Sequence, residues 1–247
     1  MIIYSNSCSF GATNKNFPVY SEIIAKDRNA QLINKGIPGS CNRRIIRTTL
    51  RDLNEIKDTD NIIALIGLTF ISRSEIWRPD LPAVDNDGHF YQIKPTQKLS
   101  WQNGLINTIV PDIHKKVDVE ISDYYKEWIL HYNRESQMTE LCTDLVMLTG
   151  WLQSKGITYK IFSNVDKLEG SEYIGYNSPF INSLYNTILK DKGVIDPWNF
   201  SFGTFAQENG LRPIDEDVYG VHGHPGEKAH KLFAEYLTEK ISTTEWK

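Results

Sequence analysis

The sequence nowhere holds the roughly 18–20 uninterrupted apolar residues that a membrane-spanning helix needs, so no membrane partner is expected. Its first residues lack the basic segment and small-residue cleavage site of a secretory leader, and the expected location is cytoplasmic. Cysteine is scarce. Cys8, Cys41 and Cys142 form an odd set without paired metal-ligand spacing, which argues against a disulfide framework and against structural zinc. Excess positive charge is absent too: at a formal charge of −4, nothing draws the chain toward phosphate polymers, and no nucleic-acid partner is expected. The one dense basic group, Arg43, Arg44, Arg47 and Arg51, is expected to spread over a solvated helical face rather than line a groove. Internal repeats and low-complexity segments are missing.

What is present suits one large α/β domain spanning 1–247, because 40% hydrophobic and 23% charged residues can bury a substantial core. Ile2 to Asn6 is a β-prone run that breaks at the small residues Ser7-Cys8-Ser9-Phe10-Gly11. Pro18 opens a helical pattern through Tyr20, Ile23 and Ile24. Gln31-Leu32-Ile33-Asn34 reads as a second strand, and from Asn42, a good cap residue, apolar positions recur at helical spacing through Ile46, Leu50, Leu53 and Ile56. The continuous apolar run from Ile62 to Gly67 marks a strand buried on both faces of a parallel sheet. Strand, helix, strand, helix, strand is the rhythm of a doubly wound sheet.

Residues 76–116, with four prolines among Trp77, Phe90, Tyr91 and Trp101, read as an inserted aromatic lid or hairpin-like excursion that shapes a pocket. Apolar positions from Ile121 to Leu152 trace one long or two broken helices, Ile157 to Phe162 a fourth strand, and 178–190 a further helix. Pro225 opens a last helix with Ala229, Leu232, Phe233, Tyr236 and Leu237 toward the core.

Ser9 stands at the carboxyl end of the first strand, where open α/β sheets place ligands. Its small neighbours permit a tight turn and close approach of a substrate carbonyl to the Ser9 N–H. Without a partner, such serines merely cap a helix or close a turn. A serine hydroxyl is a poor nucleophile at neutral pH and needs a base, and His222-Gly223-His224-Pro225 supplies histidines at the far end of the chain.

Asn6-Ser7-Cys8-Ser9-Phe10-Gly11 resembles the first block of the SGNH/GDSL hydrolases, in the Gly-Cys-Ser-Phe-Thr variant of phage and bacterial members. The stretch from Asn34 through Gly39 to Asn42 is similar to their second block, and His224-Pro225 before a helix resembles the last. The resemblance implies a three-layer α/β/α fold with a mostly parallel, flavodoxin-like sheet. It makes Ser9 the nucleophile, His224 the general base and then acid, and the N–H groups of Ser9 and Gly39 oxyanion donors. Two departures stand out. The third block usually reads Gly-x-Asn-Asp, but here Gly67-Leu68-Thr69-Phe70 leaves the Thr69 hydroxyl, or nothing, in place of the asparagine. The family's aspartate before the histidine is replaced by Val221 and His222, so His222 could orient His224, Asp217 could fold back, or the site could run as a dyad.

Arg73 and Glu75 follow an Arg-x-Glu pattern that some variant members share, either as an exposed ion pair or as a charge pair at the rim of the site. With Asn42 they are the candidates for substrate contact. Cys8 and Cys41 flank the site as small packing residues rather than auxiliary thiols. The implied activity is hydrolysis of a small-acyl ester, O-acetyl included, of a small molecule or glycan through an acyl-Ser9 intermediate, with no cofactor and no metal. Acyl transfer from the same intermediate is a close variant. The rival from another class is a noncatalytic binding or assembly protein that kept the fold, motivated by the two altered positions.

Overall fold

The short, β-branched apolar runs pair into one parallel sheet. In the computed structural model, which describes residues 1–71, 73–77, 90–93, 134–165, 168, 179–211 and 224–243, β1 (Ile2–Asn6), β2 (Gln31–Asn34), β3 (Ile62–Leu68) and β6 (Thr158–Ser163) lie in the order β2-β1-β3-β6. Tyr4 on β1 stands opposite Ile33 on β2 and Ala64 on β3. Because successive side chains point to opposite faces, Tyr4, Ala64, Ile66 and Ile161 join one core, and Ile3, Ile63, Leu65 and Phe162 join the other. The first core is closed by α2 (Asn42–Glu55), α3 (Arg134–Ser154) and α4 (Pro179–Leu189). The second is closed by α1 (Tyr20–Asp27), α5 (Phe202–Glu208) and α6 (Glu227–Ser242). The result is the three-layer α/β/α arrangement with a parallel sheet.

Several boundaries differ from the sequence expectation for local reasons. α1 and α6 start two residues after Pro18 and Pro225 respectively, with Val19 and Gly226 in the cap positions. At α1 the Glu22 carboxylate accepts from the Val19 N–H at 3.0 Å, an acidic first-turn contact that the helix terminus favours. Cys41, not Asn42, caps α2, its Sγ accepting from the Arg44 N–H at 3.4 Å. α5 carries no clear apolar period in seven residues and escaped the pattern reading. Of the 76–116 insertion, β4 (Ser74–Trp77), which begins just before it, pairs antiparallel with β5 (Phe90–Ile93). Residues 78–89 and 94–133, which hold the rest of that insertion and the expected helix start near 118, lie outside the described residues.

Three chain segments close on Ser7, which follows β1 and is fully buried. The Ile37 N–H donates to its carbonyl at 3.0 Å. A Cβ on Gly36 would stand 3.0 Å from Ser7 Oγ, one on Gly67 3.1 Å from Ser7 Cβ, and one on Gly11 would collide with both Ser7 Oγ and Tyr20 Oη. The carboxyl ends of β1, β2 and β3 therefore share one crowded point at the sheet edge.

On the second face, His230 in the first turn of α6 sits among aromatic rings, with Tyr20 stacked at 5.8 Å and Phe202 edge-on at 4.9 Å. Its Nδ1 accepts from the Tyr20 N–H at 3.2 Å, tying α6 to the start of α1. Burial, with a smaller contribution from the neighbouring His224, pushes the His230 ring down to about 3, so the folded ring is neutral.

Gly11→Ala is expected to destabilise the protein by about 1–3 kcal/mol, since neither Ser7 nor Tyr20 has room to withdraw; urea unfolding at wild-type stability would show that the turn can open. A second expectation concerns acid. The unfolded His230 ring takes a proton near 6.5, whereas the folded ring resists it until about 3. Stability is therefore full above that window and falls as pH drops through it. In denaturant melts at pH 7, 5.5 and 4.5, His230→Phe should show a shallower acid loss than wild type; an identical slope would count against a neutral buried ring.

Candidate active site

Ser9 is the second residue of a turn in which the Gly11 and Ala12 N–H groups both donate to the Cys8 carbonyl at 3.1 Å. The turn lifts the partly buried Ser9 side chain out of the sheet edge. His224, two residues ahead of the α6 cap, reaches the same place from the opposite end of the sequence. Its Nε2 lies 2.8 Å from Ser9 Oγ, which suits a serine hydroxyl donating to an imidazole nitrogen. The Phe10 ring, 4.7 Å away centroid to centroid, packs against the imidazole.

Gly39 follows Pro38 in a turn closed by the Ser40 N–H on the Ile37 carbonyl at 3.1 Å. Its φ of 80° lies in the left-handed region that glycine alone enters without strain. Neither the Ser9 nor the Gly39 N–H has a hydrogen-bond partner among the described residues. The turn is held from behind by Arg44, buried in the first turn of α2, whose Nη1 donates to Ser40 Oγ at 3.2 Å and to the Lys35 carbonyl at 3.4 Å.

Thr69 is buried directly after β3. Asn42 clamps its backbone: the Thr69 N–H donates to Asn42 Oδ1 at 2.7 Å, and Asn42 Nδ2 donates to the Thr69 carbonyl at 2.9 Å. The Asn42 amide thus holds the β3 loop, which explains why the helix cap falls to Cys41. Arg73 Nη1 donates to Thr69 Oγ1 at 2.9 Å, and its guanidinium lies 4.9 Å above the Phe70 ring. With its oxygen accepting from Arg73, the Thr69 hydroxyl keeps its own proton for another acceptor.

Two expectations about charge are corrected. Arg73 and Glu75 do not form a pair: Glu75 is buried and takes a two-pronged contact from Arg47, at 2.9 Å from Nε and 2.8 Å from Nη2. Nor do all the α2 arginines spread over a solvated face: Arg43 is exposed, but Arg44 is buried against the Lys35–Ser40 loop and Arg47 is drawn to Glu75 on β4. Cys8 and Cys41 are thiols outside any disulfide, and both are fully buried. Burial, reinforced by the Glu75 charge, pushes the Cys41 thiol up to about 12, which suits packing rather than nucleophilic chemistry.

His222 and Asp217, the candidates for orienting His224, lie outside the described residues. Among the described residues, no group of three His, Cys, Asp or Glu side chains could hold a metal ion, and no helix is long and apolar enough to cross a membrane. Sequence reasoning missed Arg44 and His230. The first had one signal, an arginine three residues after the Ser40-Cys41 step; the second had none, since its contact with Tyr20 joins residues 210 apart.

No curated protein matches the chain in sequence. Among solved structures it is similar to a lipolytic protein of the G-D-S-L family from Veillonella parvula, at 14% identity and a TM-score of 0.47, over 99% of this chain and 100% of that one. A psychrotrophic esterase from Pseudoalteromonas gives 13% and 0.47 over 98% and 96%, and an acetyl-xylooligosaccharide esterase from Geobacillus gives 12% and 0.47 over 99% and 95%. At these values the likenesses carry no weight for activity. Residues 13–185 match a family of unknown function, DUF6071, along more than half of the sequence, and the chain belongs to that family.

Proposed function

We propose that the chain is a serine hydrolase of the SGNH/GDSL type that cleaves a carboxylic ester carrying a small acyl group. The observation that carries this reading is the 2.8 Å approach of His224 Nε2 to Ser9 Oγ. Ser9 attacks the ester carbonyl while its proton passes to Nε2, the carbonyl oxygen gathers negative charge, and the N–H groups of Ser9 and Gly39 and the Thr69 hydroxyl are its donors. His224 then protonates the departing alcohol oxygen, leaving an acyl-Ser9 ester. Water, activated by the same imidazole, releases the acid and restores Ser9.

The cleft beside Ser9 and His224 is small, about 270 Å³ even with its open mouth counted, which favours small groups. The noncatalytic reading draws on the two altered positions, the threonine in place of an asparagine donor and the missing aspartate before His224; Arg73 beside Thr69 Oγ1 offsets the first by polarising that hydroxyl.

A fluorophosphonate probe is expected to label wild-type protein on Ser9, and Ser9→Ala and His224→Ala should each lower kcat/KM on p-nitrophenyl acetate by about 10³-fold or more. A folded wild type that neither labels nor turns over the ester would leave the noncatalytic reading standing. Gly39→Val, strained at φ 80°, should lower kcat by about 10²-fold if its N–H serves the oxyanion; unchanged kcat in a folded variant removes Gly39 from the site.

A further inference from the structure

Beyond Ser9 and His224, the cleft is apolar at Phe10, Phe17 and Val19 and polar at Asn14 and His230. Asn14 is half-buried and its Oδ1 already accepts from the Asn16 N–H at 2.9 Å, whereas His230 is buried and held rigid. The imidazole is immobilised by Tyr20 and Phe202, and by Phe17 at 5.6 Å. Its tautomer is fixed as well. Because Nδ1 accepts the Tyr20 N–H, a neutral ring carries its proton on Nε2, and no described residue accepts from Nε2.

The direction of the chemistry says which part of the substrate meets this donor. His224 must hand its proton to the leaving oxygen, so the alcohol departs through the cleft that His224 lines. Gly39 and Thr69, the candidate oxyanion donors, are not among that cleft's lining residues.

We propose that His230 donates a hydrogen bond from Nε2 to a second oxygen on the leaving alcohol, so that the site selects esters of neutral polyols or sugars over esters of plain alkyl alcohols. The inference rests on the ester-hydrolase reading above. A neutral donor suits a hydroxyl or ether oxygen and gives no charge for a phosphate or carboxylate. Burial keeps the ring neutral while His224 cycles through its protonated form. Since the ring is already ordered by its neighbours, little side-chain freedom is lost on binding.

The test compares 2-hydroxyethyl acetate with propyl acetate, which differ by a hydroxyl in place of a methyl. Wild type should favour the hydroxylated ester in kcat/KM by about five- to tenfold, the ordinary worth of one neutral hydrogen bond. His230→Phe should bring the ratio to about one, and His230→Gln, which keeps an amide donor near the Nε2 position, should retain part of it. A His230→Phe protein with circular dichroism like wild type and an undiminished ratio overturns the proposal. Equal rates on the two esters in wild type overturn it too; if fluorophosphonate still labels Ser9 there, the hydrolase reading survives, and if it does not, both fall. Should the variants fail to fold, nitrogen-15 NMR of wild type decides: the His230 Nε2–H signal is expected to shift when ethylene glycol is added, and a static signal, or a proton on Nδ1, overturns the proposal.

Discussion

The close approach of three chain segments to Ser7 is the constraint on which the sheet edge depends. Ser7 has no solvent contact, and Gly11 and Gly36 from the turns after β1 and β2, with Gly67 near the end of β3, press on it at distances that leave no space for side chains. Dense packing of this kind transmits any added volume into the backbone. The Ser9 turn, the Gly39 turn and the start of the Thr69 loop are consequently held in register with one another, although each leaves a different strand. The proposed active site would need that register, because a misplacement of about 1 Å in a donor can cost two orders of magnitude in rate.

Helix α2 supplies the second layer of support through charge. Arg44 reaches the loop ahead of Gly39, Asn42 clamps Thr69, and Arg47 ties the helix to Glu75 on β4. Buried ion pairs rarely add much net stability, since the desolvation penalty offsets the attraction. Their geometric content is larger: Glu75 stripped of Arg47 would be an uncompensated buried carboxylate, so the two-pronged contact discourages any other placement of β4 against α2.

The electrostatics around His224 follow from burial more than from charge. In the proposed reaction His224 becomes an imidazolium, and a second protonated ring nearby would oppose this. His230 is near enough to feel His224, yet its aromatic surroundings hold it neutral. Aromatic packing on the α6 side therefore serves the second core and the proton chemistry at once, and the Phe10 ring plays a similar double part by touching both Phe202 and His224.

Local pattern alone determined the sheet. Runs such as Ile2 to Asn6 and Ile62 to Leu68 are too apolar and too short for anything but buried strands, and small residues after them demand turns, so β1, β2, β3, β6 and the position of Ser9 could be read from spacing and residue type. A histidine at the far end of the chain was legible as a candidate through its place before the last helix. Tertiary structure alone decided who meets whom. Asn42 finds Thr69 across 27 residues, Arg47 finds Glu75 across 28, and His230 finds Tyr20 across 210. The Arg73 and Glu75 pairing expected from their Arg-x-Glu pattern gave way because the buried Glu75 needs a partner and finds it in Arg47 on the packed α2, while Arg73 goes to Thr69. Propensity and periodicity act over a few residues, whereas hydrogen bonds and ion pairs are selected by the spatial neighbours that the sheet and its two helical layers bring together.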